Sequence, residues 1–296
     1  MFPTTVVSCY YPVECSKHSI EQYNEWVPNF LRYITSPIVM FSDGETFDWL
    51  CKIRQEAGLS DRFFPIRKPL ADLEFSTPEW LDIWDKQHEM GLKKKYWREH
   101  SLQIVNRIWA NKAFFVQEAI QKNPFDSKYF VWCDAGCWRN IHTAKTFGKD
   151  WPATSAIKPN RLTILNIEPI TPYIQKLDAP DIQTLEDVVT KIPTSFCMSV
   201  GGTILSGDTV AWSIWTPLFR QTLECFIKNN LFAADDQAVI TSCLLWMYKS
   251  IPSCAPLMID DPVGKGFYVI RDGVRLDDRW YVLQILLSQE FSHAFS

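Results

Sequence analysis

Hydrophobic residues recur along this chain in two periods, and the two alternate. Short runs rich in aromatic and β-branched side chains stand at residues 5–10, 38–41, 129–133, 162–167 and 199–207. Runs of that length and composition predict strands buried on both faces. Between them lie stretches with helical spacing. Residues 19–34 carry Ile20, Tyr23, Trp26, Val27, Phe30 and Leu31 on one face, with an interruption expected at Pro28. Residues 46–57 predict a helix stopped by Gly58, and another starts near Pro78, which suits a first helical position. Residues 62–66 read as a strand at the sheet edge, because Pro65 cannot donate to a ladder.

Ser101 reads as the cap of one long helix that presents Leu102, Val105, Ile108, Trp109, Phe115, Val116, Ala119 and Ile120 on one face. Arg107, Asn111 and Lys112 fall away from the centre of that face, and Asn123-Pro124-Phe125 ends the helix. The second half is less regular. A loop is expected at 151–159, a mixed segment with one helix at 169–193, a helix at 209–229 and another beginning around Asp236. The tail holds an expected strand at 266–270 and an apolar segment at 280–287. Alternating strands and helices predict an α/β fold built on a mostly parallel sheet flanked by helices. No repeat, low-complexity tract or linker divides the chain, so one compact domain over residues 1–296 is expected.

Charge and cysteine usage narrow the function classes. A net charge of −4 on 296 residues supplies no basic field for nucleic acid. The one dense cationic run, Lys93-Lys94-Lys95 with Arg98 after it, reads first as a solvated face. Aromatic content of 14%, with thirteen Trp, serves cores as well as it serves stacking surfaces. The nine cysteines (Cys9, Cys15, Cys51, Cys133, Cys137, Cys197, Cys225, Cys243 and Cys254) are odd in number and form no Cys-x-x-Cys pair. Buried free thiols fit that pattern better than a zinc site or a disulfide framework. The chain opens directly on an apolar strand with no secretory leader, and no stretch approaches a membrane span. A soluble, cytoplasmic protein is the expectation.

The chemistry centres on Tyr129-Phe130-Val131-Trp132-Cys133-Asp134-Ala135-Gly136. An apolar strand there ends abruptly in a carboxylate, and ligands of open α/β sheets bind beside the carboxyl ends of strands. A carboxylate so placed can hold a divalent metal and, through it, a diphosphate. The competing reading is that Asp134 caps the next helix. Gly136 would let the backbone turn or approach a ligand. Further on, Asp235-Asp236 precede a helix start, where one aspartate suffices for the cap. Asp236 is the candidate that orients or deprotonates an acceptor hydroxyl, and Asp235 the candidate cap.

Asn123-Pro124-Phe125, then Phe130 to Gly136 with Arg139, and later Gly201-Gly202 and Asp236-Gln237, resemble the HtrL/YibB family. That family is similar to glycosyltransferases of the GT-A fold, which use nucleotide-diphospho-sugars. The resemblance implies a GT-A-like, Rossmann-like domain with a nucleotide-binding half at about 1–140 and an acceptor-side half at about 141–296. It implies a nucleotide-sugar donor, a glycan or glycoconjugate acceptor, and Mn²⁺ or Mg²⁺ held by Asp134. Ser8, Tyr10 and Tyr11 would lie against the base, Asp43 near base or ribose, and Lys112 and Arg139 near the phosphates. Gly201 and Gly202 would let backbone approach a sugar. Where such enzymes generally carry Asp-x-Asp, this chain reads Asp134-Ala135-Gly136, so a second metal ligand is missing. Asp260, Asp261 and His293 are candidates, against plainer readings as a turn for the aspartates and a chain terminus for His293.

Two other classes stay open. A nucleotidyltransferase or nucleotide-sugar-processing enzyme shares the strand-terminal carboxylate, although no Gly-rich phosphate loop follows the first strand. A non-catalytic nucleotide- or carbohydrate-binding protein is the third reading, and hydrolysis by paired carboxylates is weaker. The thiol pattern gives a direct expectation. Alkylation of the unfolded chain without reductant should label all nine cysteines, and a reproducible shortfall of two would overturn it.

Overall fold

Seven strands form one sheet in the order β3-β2-β1-β4-β6-β5-β7, in a computed structural model that describes residues 2–14, 18–93, 103–194, 199–260, 270–271, 274–275 and 282–288. The first half supplies β1 (Thr4–Cys9), α1 (Ile20–Tyr33), β2 (Ile38–Ser42), α2 (Gly44–Glu56) and β3 (Phe63–Arg67). Then follow α3 (Pro78–Leu92), α4 (Gln103–Ala110), α5 (Lys112–Lys122) and β4 (Tyr129–Cys133). The second half supplies α6 (Ile141–Phe147), β5 (Thr163–Asn166), α7 (Thr171–Ile174), α8 (Leu185–Lys191), β6 (Val200–Asp208), α9 (Thr209–Lys228), α10 (Asp236–Ser250) and β7 (Leu257–Asp260). A two-stranded ladder, β8 (Ile270–Arg271) with β9 (Val274–Arg275), and α11 (Leu283–Leu286) complete the described elements.

The sheet is mostly parallel, and β6 is its reversed strand, antiparallel to both β4 and β5. β3 stands at the edge, as Pro65 predicts. Alternate residues of each strand feed two cores. Val7, Phe130, Trp132 and Leu205 pack against α5, α9 and α10, while Val6, Val131, Cys133 and Ile204 pack against α1, α2 and α6. A sheet covered on both faces explains why its strands read as continuous apolar runs.

Two predicted helices differ from expectation. α1 runs through Pro28 without interruption. Its buried face of Trp26, Val27, Phe30 and Leu31 outweighs the one amide bond that proline forfeits. Conversely, the single long helix divides at Asn111. This buried side chain accepts from Glu74 N at 2.9 Å and donates to Arg107 O at 2.8 Å, taking backbone partners the helix would otherwise keep. Lys112 thereby becomes the first residue of α5 and points inward, 5% exposed, instead of standing on a solvated face. The expected cap Ser101 lies outside the described residues, as do Lys94, Lys95 and Arg98 of the cationic run.

All seven described cysteines are free thiols; Cys15 and Cys197 lie outside the described residues. No helix among the described residues is long and apolar enough to cross a membrane.

At the amino edge of the sheet, the guanidinium of Arg54 is fully buried without a carboxylate among its hydrogen-bond partners. It donates to four carbonyls: Leu31 O and Ile34 O at 2.7 Å each, Ser36 O at 3.2 Å and Arg62 O at 3.1 Å. It thus ties the end of α1 and the entry to β2 to the segment before β3. Burial, with Arg62 nearby, pushes its pKa down to about 10, so it stays charged at neutral pH. Arg54→Met would leave those carbonyls without their donor. Each unsatisfied buried polar group costs about 1–3 kcal/mol. Urea unfolding should show a loss of about 3 kcal/mol or more, with an unchanged m-value; a loss within experimental error would contradict the clamp.

Candidate functional site

Strand period decides what β4 presents at its end. Phe130 and Trp132 face the α5–α10 layer, so Asp134, two residues beyond Trp132, turns the same way. Its amide donates to Thr203 O at 2.9 Å, and Trp132 Nε1 donates to its Oδ1 at 2.7 Å, which orients the carboxylate. Asp134 is not a helix cap. The following helix, α6, is capped by Asn140, whose side chain accepts from His142 N.

The division at Asn111 aims Lys112 at this carboxylate. Lys112 Nζ lies 3.1 Å from Asp134 Oδ1 and 3.2 Å from Oδ2. It also lies 2.9 Å from Asp236 Oδ2 and donates to Gly202 O at 2.8 Å. Four elements therefore meet at one ammonium: the end of β4, the start of β6 and the first turns of α5 and α10. A cation at a helix N-terminus opposes the dipole, so Lys112 owes its place to the two carboxylates. Burial alone would lower its pKa, but Asp134 and Asp236 outweigh that and hold it above the ordinary lysine value. For Asp134, burial pushes the pKa up and Asp236 adds to it. The ammonium of Lys112 and the Trp132 hydrogen bond only partly reverse the rise.

Gly202 is a condition of this cluster. A Cβ there would lie 2.8 Å from Asp236 Oδ2. Glycine lets the carboxylate close on the β6 backbone, where the sequence pointed to an approaching sugar. Gly201 meets Leu165 instead. Gln237 Nε2 donates to Val200 O at 2.6 Å, so the Asp-Gln pair braces the beginnings of α10 and β6. Asp235 caps α10, accepting from Gln237 N, as expected.

The strand order 2-1-4 makes the carboxyl ends of β1 and β4 the switch point beside which sheets of this kind form their cleft. The β1–β2 crossover α1 lies on one face, and α5, which leads into β4, lies on the other. Such a switch point is where open α/β sheets bind ligands. On its β1 side the expected base-contacting residues are occupied with packing. Ser8 is fully buried and donates to Cys133 O at 2.6 Å, so it faces β4 and not the cleft. Tyr11 is 8% exposed, donates to Lys68 O at 2.8 Å and stacks on Phe115. Tyr10 is 6% exposed, and its ring meets Tyr23 and Trp49. Asp43 stands at the N-cap position of α2, half-buried, and caps no amide.

Gly136 serves Tyr23: a Cβ would come within 2.6 Å of that ring. Arg139, expected near the phosphates, lies over Trp26 at 4.3 Å, donates to Gly136 O and has His18 Nε2 at 3.2 Å. Asp260 ends β7 and accepts from Asn166 at 2.5 Å. Three strand spacings, roughly 14 Å, separate its strand from that of Asp134. Asp261 and His293 lie outside the described residues.

Among the described residues, no group of three or more His, Cys, Asp or Glu could hold a metal ion. The donor chemistry of Asp134 nevertheless fits Mn²⁺ or Mg²⁺ shared with a ligand. Its side chain is 27% exposed while those of Lys112 and Asp236 are 7% and 8% exposed. One ammonium faces two carboxylates, leaving unbalanced negative charge, and such hard ions are often held by one or two carboxylates with substrate phosphates and water. Sequence reasoning missed Trp132 as the orienting donor and Asn111 as the turning point. An Asn amid a helical run was the available signal for the latter.

The architecture and cluster define a mixed α/β protein with a carboxylate–lysine–carboxylate centre at the carboxyl edge of its sheet. The chain belongs to the HtrL_YibB family: the family model described as "Bacterial protein of unknown function (HtrL_YibB)" matches residues 84–258, more than half its length. That span holds Lys112, Asp134, Gly202 and Asp236, while β1, β2 and β3 precede it. No curated protein and no solved structure matches the chain.

The raised pKa of Asp134 fixes the sign of a stability effect. A carboxyl group whose pKa is higher folded than unfolded contributes stability at low pH that is lost as pH rises through the folded value. Ionisation of Asp134 is therefore a burden on the fold. Asp134→Asn should melt at or above wild type at pH 7, with the difference narrowing as pH falls toward the ordinary aspartate range. A variant melting well below wild type at pH 7 would contradict this.

Proposed function

We propose that this protein is a glycosyltransferase, moving a sugar from a nucleotide-diphospho-sugar, a UDP-sugar foremost, to a hydroxyl of a glycan or glycoconjugate. The observation that carries the reading is Asp134, a partly exposed carboxylate at the end of β4 beside the β1–β4 switch point. Its ammonium partner Lys112 and a second carboxylate, Asp236, adjoin it. A GT-A-like fold accords with the mostly parallel sheet and its ligand-side carboxylate. Free thiols among the described residues suit a reducing, cytoplasmic setting.

In the transfer, the bond from the anomeric carbon to the terminal phosphate oxygen breaks, and the nucleoside diphosphate leaves with the electron pair. The acceptor oxygen bonds to the same carbon and releases its proton. A divalent ion, when bound, supplies charge neutralisation to the diphosphate. Asp134 would hold that ion, with its rotamer set by Trp132. Lys112 places a further positive charge beside the leaving phosphates. Asp236 orients the acceptor hydroxyl or takes its proton, and Asp235 keeps the helix start in place. A non-catalytic nucleotide- or carbohydrate-binding protein is the second reading. It is favoured by the enclosure of Asp236, whose side chain is 8% exposed and paired with Lys112.

Calorimetry separates these readings from no nucleotide site at all: UDP should bind, and more tightly with Mn²⁺ than with EDTA. Absence of UDP and GDP binding under both conditions would count against each. Asp236→Asn should lower turnover by roughly a hundredfold or more with donor binding little changed. Loss of donor binding at normal turnover per bound donor would move Asp236 to the donor site.

A further inference from the structure

We propose that Lys112 is an internal counter-ion that guards the divalent-ion site, so that a hard cation binds Asp134 strongly only together with an anionic diphosphate. The diphosphate part rests on the nucleotide reading above, whereas the guarding of Asp134 stands on geometry alone. The ammonium straddles both oxygens of Asp134 at 3.1 and 3.2 Å, reaches Asp236 at 2.9 Å and donates to Gly202 O at 2.8 Å. Its three N–H donors thus have partners on three sides. A divalent ion arriving alone at Asp134 meets that ammonium and must share oxygens with it. An anion arriving alone meets the unbalanced negative charge of two carboxylates.

An ion and a diphosphate arriving together remove both obstacles. The phosphate oxygens accept from the ammonium, and the carboxylate oxygens it leaves turn to the ion. Lysine suits this exchange, since its compact charge rides on a flexible stem and its donors rotate. The exposures agree in direction: the Asp134 side chain is 27% exposed, while that of Asp236 is only 8% exposed. With no three-residue metal cluster among the described residues, the ion depends on oxygens the ligand brings.

The test titrates Mn²⁺ alone, and Mn²⁺ with saturating UDP, into the full chain by calorimetry. Wild type should bind Mn²⁺ alone weakly and gain at least about fivefold in affinity with UDP, the lower end of ordinary coupling between sites. Lys112→Met should bind Mn²⁺ alone at least about fivefold more tightly than wild type, and Mn²⁺ should raise its melting temperature more. Lys112→Met leaves two carboxylates unneutralised and could fail to fold. The double variant Lys112→Met with Asp236→Asn keeps the cluster's net charge and should show the same gain. Unchanged or weaker Mn²⁺ binding in the variants overturns the proposal, as does wild type binding Mn²⁺ equally well with and without UDP. If wild type binds no UDP at all, the nucleotide reading fails, and the variants still decide whether Lys112 guards the ion site.

Discussion

One buried ammonium organises the carboxyl edge of this sheet. Lys112 is worth having there only because Asp134 and Asp236 both face it, and they can sit so close together only because it lies between them. Removing Lys112 would leave two carboxylates unneutralised in a low-dielectric site, which makes the three a unit. Much nearby detail follows from that constraint. Gly202 gives Asp236 room, Trp132 fixes Asp134, and Asn111 breaks a helix so that the lysine can enter at its first turn. β6 must run backwards for its glycines to reach this edge at all.

The opposite edge is built on another rule. Arg54 is held by neutral carbonyls and ties together segments that do not move apart without exposing them. The buried guanidinium of the amino edge is therefore committed to structure. At the carboxyl edge some negative charge is left over, on the carboxylate most open to solvent. A fold that fixes one edge in this way leaves the other as the edge with charge to offer a ligand.

The sequence announced the frame well because the frame is local. Buried strands, the edge strand with Pro65 and the helix starting at Pro78 are all written in runs of a few residues. Asp134 was legible for the same reason, since an apolar strand that ends in a carboxylate is visible in ten letters. Lys112 was not. Its helical phase pointed it toward solvent, and only the side chain of Asn111, bonded to Glu74 across a loop, changes that phase. The roles of Gly136 and Gly202 were hidden too. Each is required by a side chain, Tyr23 or Asp236, far away in sequence. Tyr10 and Tyr11 were ambiguous in kind, because an aromatic beside a cleft and an aromatic in a core share one signature.

The position of β1 has a kinetic consequence. It lies between β2, which follows it closely, and β4, which arrives more than a hundred residues later. During synthesis its inner edge has no partner until nearly half of the chain has emerged, and β6, later again in the chain, must then close on β4. Pairings of such long sequence separation fold slowly and leave strand edges open to association. The ammonium cluster, whose members span residues 112 to 236, has its geometry only with those pairings in place. A chain released early would carry a strand edge but no site, so the site's electrostatics report that assembly is complete.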